Sequence, residues 1–149
     1  MKIDNGTLVM ALDGTKLLMF RNDGDEKYPV LTTLTHEEAD NPPTREHGTD
    51  TPGRTHASAR DGRSSSYEET DWHEQSKQRF VRHAAEVLDK AAAGRADSGI
   101  LVIAPAPVLG ELRKHYGRAT QDRLLSEIVK DLASHLTDDI VDAISAHNP

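Results

Sequence analysis

The sequence predicts an α/β domain: a mixed five-stranded sheet that opens on an N-terminal β-hairpin and carries helices on its faces. Three observations lead there. Two short apolar runs flank an Asp-Gly turn near the start, a long amphipathic helix pattern follows, and strand and helix patterns then alternate to the end. At 149 residues the chain has the length of one domain, so residues 1–149 are read as a single unit.

The elements follow in order. Residues 7–12 (TLVMAL) and 16–21 (KLLMFR) surround Asp13-Gly14, a strong hairpin signal. Neither run alternates cleanly, as expected of strands covered on both faces. Residues 29–35 (PVLTTLT) alternate Val30, Thr32 and Leu34, which predicts a third, partly exposed strand. A helix is predicted over residues 71–93, with Asp71 and Glu74 forming a capping box and Gly94 as a left-handed stop. Trp72, Ser76, Phe80, Ala84, Val87, Leu88 and Ala91 share one face of it, which makes Trp72 and Phe80 core anchors.

Residues 98–104 (SGILVIA) read as a buried strand ended by Pro105 and Pro107. Residues 108–116 then form a short helix closed by Gly117, the beginning of a parallel crossover. Leu124–Val129 is helical by propensity and strand-like by position, and is taken as the fifth strand. Thr137 caps a last helix over residues 138–146, with Ile140, Val141 and Ile144 inward.

Between these packed flanks, residues 40–70 contain no Val, Ile, Leu, Met, Phe or Trp and carry Arg45, Arg54, Arg60 and Arg63. A connection of that length inside a domain is usually functional or disordered. Composition narrows the function further. There is no cysteine, which removes disulfides, thiolate zinc sites and cysteine nucleophiles. A formal charge of −7 opposes broad electrostatic binding to nucleic acid or to an anionic membrane. Residues 51–66 differ, setting Arg54, Arg60 and Arg63 against Asp61 alone, so a small basic patch on an acidic body is expected. No apolar run approaches the ~18 residues of a membrane span, and the first twelve residues do not form a signal peptide. Cytoplasm is the default location.

Three blocks carry a family resemblance. TPGRTHASARDGRSSSYEETDWHEQSKQRF resembles the central signature of the bacterial host-attachment proteins, in which Pro-Gly-Arg, a nearby Ser, Gly-Arg, Thr-Asp, His, Lys and Phe recur in that order. LVIAPAPVLGELRKHY is similar to that family's strand followed by Ala-Pro-Pro and Leu-Gly-x-Leu-Arg, and SEIVKDLASHLTDDIVDAI to its closing strand and helix. The chain departs from the pattern at His56, where an aromatic–acid pair is common, and in having Pro-Ala-Pro. The resemblance implies a fold like the middle domain of archaeo-eukaryotic peptide chain release factors, a ribonuclease-H-like arrangement. The host-attachment name describes a phenotype. The release-factor domain triggers peptidyl-tRNA hydrolysis through a Gly-Gly-Gln tip, which this sequence lacks, so that activity is not carried over.

Candidate site residues follow from the residues and the resemblance together. Arg54, Ser58, Arg63 and serines 64–66 offer the guanidinium and hydroxyl donors that hold phosphate; the alternative is a solvated loop. His73 and Lys77 share a face one turn apart at the expected helix start, whose free N–H groups favour an anion although Asp71 competes for them. Asp71 or Glu74 could instead pair with Arg54 or Arg63 and anchor the loop. Lys130 lies beyond the carboxyl end of the last strand, where open α/β sheets bind ligands, and Arg113 could join it or form a structural ion pair. His36, Glu37, Glu38 and Asp40 make only a weak metal cluster, and the serines lack a Gly-x-Ser-x-Gly setting.

The reading is a non-catalytic binding protein, without cofactor or metal, that contacts RNA phosphate or a ribosome-associated partner through the arginine-rich loop. Two alternatives stand beside it: a protein-interaction component of attachment or surface-polysaccharide pathways, and a phosphate-ester hydrolase or nuclease. The oligomeric state is left open.

Overall fold

The five strands of the computed structural model are β1 (Leu8–Leu12), β2 (Lys16–Asn22), β3 (Leu31–Glu38), β4 (Ile100–Ala104) and β5 (Leu124–Val129). The structure describes residues 1–39, 62–94 and 98–149, with side chains in the middle stretch from residue 73 onward. Among the described residues there are four helices: α1 (Gly62–Gly94), α2 (Ala106–Arg113), α3 (Arg118–Arg123) and α4 (Thr137–Ala146). The sheet order is β3-β2-β1-β4-β5. β1 pairs antiparallel with β2 and parallel with β4, while β4 and β5 are parallel. This is the mixed α/β sheet with an N-terminal hairpin that the sequence predicts.

Both faces of the sheet are covered, which is why β1 and β4 read as unbroken apolar runs. On one face Leu8, Met10 and Leu12 meet Val102, with Phe80, Val81, Ala84 and Leu88 of α1 and Leu109 and Leu112 of α2 above them. On the other, Val9, Ala11, Phe20, Leu101 and Ile103 pack against Ile140 and Ile144 of α4. Alternate residues of a strand point to opposite faces, so one central strand feeds two cores. Phe80 is the expected anchor; the side chain of Trp72 lies outside the described residues. Leu124–Val129 is a strand because it completes the parallel ladder, pairing Ile103 with Ile128 and Ala104 with Val129. Tertiary pairing overrides its helical propensity.

Several boundaries correct the sequence reading. α1 begins at Gly62, not Asp71, so residues 62–70 of the polar stretch are helical. Asp71 is therefore inside the helix and not at its start, so it and Glu74 do not stand at the helix N-terminus that a capping box requires. A polar extension shows no apolar stripe, yet adding turns to an existing helix avoids the unfavourable nucleation step. Gly94 is the last helical residue without a left-handed φ; among the described residues Gly6 is the glycine with positive φ. Thr137 is the first residue of α4 rather than its cap, which is Leu136 with no side-chain cap hydrogen bond. α2 ends at Arg113, and Gly117 instead precedes α3, an unpredicted helix.

β3 runs to Glu38, beyond the predicted end at residue 35. Its register against β2 shifts between Met19 and Phe20, whose partners are Thr35 and Thr33, so Leu34 is an extra residue. The shift breaks the Val30, Thr32, Leu34 alternation, and it is Leu31, Thr35 and Glu37 that are half-buried. The entry to β3 is pinned by Asn22, which is fully buried. Its Nδ2 donates to Ile3 O and Asp4 O at 3.0 and 3.1 Å, while its Oδ1 accepts from Gly24 N and Val30 N at 3.0 and 2.9 Å. A buried amide with both ends satisfied fixes three chain segments together.

Candidate functional site

β1, β4 and β5 run parallel, so their carboxyl ends lie on one edge of the sheet, the edge at which open α/β sheets place ligands. A cleft of about 400 Å³ opens there. One wall is the β1–β2 turn. Asp13 Oδ1 accepts from Thr15 N and Lys16 N, both at 2.7 Å, and Asp13 N donates to Lys16 O, so the turn is closed on itself. α1 supplies the second wall with Glu74, Lys77, Gln78 and Val81, and α2 the third with Pro107, Val108 and Glu111.

A close approach and a proline shape this cleft. A Cβ on Gly14 would lie 3.2 Å from both Cγ and Cδ of Lys77, so the lysine stem crosses the turn where only glycine leaves full room. Pro105 is the N-cap of α2, and Pro107, which lines the cleft, stands in its first turn, where the missing N–H of a proline would be unpaired anyway. Glu111 turns toward the far end of α2, accepting from Lys114 Nζ at 3.2 Å and lying 3.3 Å from His115 Nε2. The lysine hydrogen bond first, then the histidine, hold its carboxyl below the ordinary glutamate value. Glu74 and Lys77 are exposed and, among the described residues, neither has an ion-pair or hydrogen-bond partner.

A second polar cluster ties α2 to β5. Arg113 reaches Glu127 Oε1 at 2.7 Å through Nη2 and 2.9 Å through Nε, and Tyr116 Oη donates to Glu127 Oε2 at 2.6 Å. Burial would raise the pKa of Glu127, but the hydrogen bonds from Arg113 and then Tyr116 outweigh it and hold the carboxyl below its usual range. Burial first, then the bond to that carboxylate, push the Tyr116 phenol well above its ordinary value.

The expected site residues separate accordingly. Arg54 and Ser58 lie outside the described residues. Arg63 belongs to the first turn of α1, with Asp71 further along the same helix, and their side chains are also outside. His73 is half-buried on α1, while Glu74 and Lys77 both line the cleft. Arg113 is engaged by Glu127, the structural ion pair weighed above. Lys130 extends from β5 with its amide on Ala104 O at 3.2 Å and its side chain in solvent. Helix N–H groups are not available at Asp71–Lys77, since α1 begins upstream at Gly62; the arginines expected to meet this stretch lie outside the described residues. The Asp13-Gly14 turn enters the site although its sequence signal marked only a hairpin. Among the described residues no three His, Asp or Glu side chains gather closely enough to hold a metal ion.

The model of Bacterial archaeo-eukaryotic release factor family 12 matches residues 6–144. The chain belongs to that family. The match spans every strand and all but the last residues of α4; it bears out the release-factor likeness that the host-attachment resemblance implied, and does not carry the host-attachment naming itself. No curated protein matches the chain. Among its described residues this release-factor family member has no helix long and apolar enough to cross a membrane; α1 has the length but is polar along its outer face.

Proposed function

We propose that this chain is a non-catalytic binding protein of translation that contacts RNA phosphate through its arginine-bearing segment and the adjoining start of α1. One observation carries this: α1 begins at Gly62. The first backbone N–H groups of a helix have no intrahelical partners and bear partial positive charge. In this chain those donors fall in the same stretch as Arg63 and serines 64–66, and the first turn contains no acidic residue. Amide, hydroxyl and guanidinium donors in one short stretch suit a phosphodiester oxygen. Arg54 and Ser58 continue the same chemistry upstream in sequence.

Membership of a release-factor family supports translation as the setting. Without Gly-Gly-Gln in these 149 residues, binding rather than peptidyl-tRNA hydrolysis is the activity proposed. The protein acts as one domain in the cytoplasm, without a cofactor, and any effect on attachment to a host is downstream. Fluorescence anisotropy with labelled oligouridine over a range of salt concentrations tests this. Binding should weaken steeply with salt, and Arg54→Ala combined with Arg63→Ala should abolish it or flatten the log–log salt slope by about 1.4, the loss of two single-strand phosphate contacts. An unchanged affinity and slope in the double variant overturns the reading.

A further inference from the structure

The cleft at the carboxyl edge is chemically unlike the RNA contact proposed above. Lys77 lies about 22 Å along α1 from Gly62, at ~1.5 Å per residue, so the two are separate places on the protein. The cleft floor is apolar, made by Val81, Pro107 and Val108 with the Lys77 stem beside them. Its charged lining residues are Asp13, Glu74 and Glu111 against Lys77, three acids to one base. Asp13 and Glu111 already accept hydrogen bonds from their own elements, whereas Glu74 is exposed without a partner among the described residues. A phosphate would meet an excess of negative charge here, on a protein whose formal charge is −7. The volume, about 400 Å³, lies within the range of binding clefts.

Charge complementarity and the apolar floor together select the occupant. We propose that this cleft docks a segment of another protein in which an aliphatic side chain is flanked by lysine or arginine. The aliphatic side chain enters between Val81 and Val108, and the cation pairs with Glu74 at the rim. Desolvated apolar contact in the centre with a charged pair at the edge is the usual division of labour in such docking. The site lies apart from the start of α1 and would let one protein hold RNA and a basic polypeptide at once.

The full chain is titrated with a fluorescein-labelled peptide of alternating lysine and leucine, and with glutamate–leucine and lysine–serine counterparts. The lysine–leucine peptide should bind at least tenfold more tightly than either. Backbone amide shifts should concentrate at Gly14, Lys77 and Val108. Glu74→Lys, at an exposed position, should weaken binding at least fivefold, and Val108→Ser should do the same with an unchanged circular dichroism spectrum. Arg54→Ala with Arg63→Ala should leave peptide binding intact, which separates this site from the RNA contact. Equal affinity for the three peptides, unaltered affinity in Glu74→Lys, or displacement of the peptide by oligouridine overturns the proposal.

Discussion

At the scale of single residues, Glu127 shows how one half-buried carboxylate organises its neighbours. Arg113 compensates its charge and Tyr116 satisfies its second oxygen, so β5 and the end of α2 are held together. The pH dependence follows from the two shifted groups. Unfolded glutamate takes up a proton near pH ~4.3 while folded Glu127 stays ionised, so its stabilisation is present above that value and lost on acidification. Unfolded tyrosine loses its proton near pH ~10 while folded Tyr116 keeps it, so stability is present below that value and lost as pH rises. Urea midpoints measured for wild type and Tyr116→Phe should therefore converge above pH ~10, where the wild type loses its tyrosine contribution. At neutral pH the variant should be less stable by about 1–3 kcal/mol, because Glu127 keeps one oxygen without its donor. A constant difference between the two proteins from neutral to alkaline pH would contradict this account.

At the scale of elements, α3 is a short helix whose start is secured from a distance. Asp89 of α1 accepts from Thr120 N at 3.0 Å and from Thr120 Oγ1 at 3.2 Å. A Cβ on Gly117 would fall 2.2 Å from the Asp89 carboxyl carbon, so this glycine makes room for a cap that belongs to another helix. Asp89→Ala should destabilise by about 0.5–2 kcal/mol, the usual worth of a helix cap. Gly117→Ala should also destabilise, and in a double-mutant cycle the two should be clearly less than additive, since the alanine no longer meets a carboxylate. Strict additivity would show that Gly117 matters for some other reason.

The same element explains what could be read from the sequence. β1 and β4 were legible because continuous apolar runs leave few alternatives, and α4 because its inward residues repeat at helical spacing, whereas LLSEIV of β5 was as helical by propensity as it was strand-like by position. α3 was not, as its cap lies thirty-one positions away in the chain. The start of α1 was hidden because Ser, Arg and Glu leave no stripe to detect. At the candidate site, Lys77 and Glu74 were recognisable as chemistry-bearing residues on one helix. The partner that completes their cleft, the Asp13-Gly14 turn, is brought there by the parallel pairing of β1 with β4, which local sequence does not encode.

At the scale of the whole molecule, one sheet separates two apolar cores that share no side chain. Leu88 of α1 is buried on one face and Ile140 of α4 on the other, both fully inaccessible. Each faces different partners, yet both rest on β1 and β4, whose alternate residues serve the two sides. Truncating either to alanine should cost about 2–5 kcal/mol, combining lost burial with an unfilled cavity. Because the sites have no neighbour in common, the double variant should sum the two within about 0.5 kcal/mol. Because the strands are shared, unfolding should remain a single transition whose urea midpoints agree between tryptophan fluorescence and circular dichroism. A double variant that unfolds in two steps, or whose cost departs from the sum by more than about 1 kcal/mol, would mean that the two faces communicate through the sheet. Additivity with one transition would instead place the cooperativity of this fold in β1 and β4 themselves.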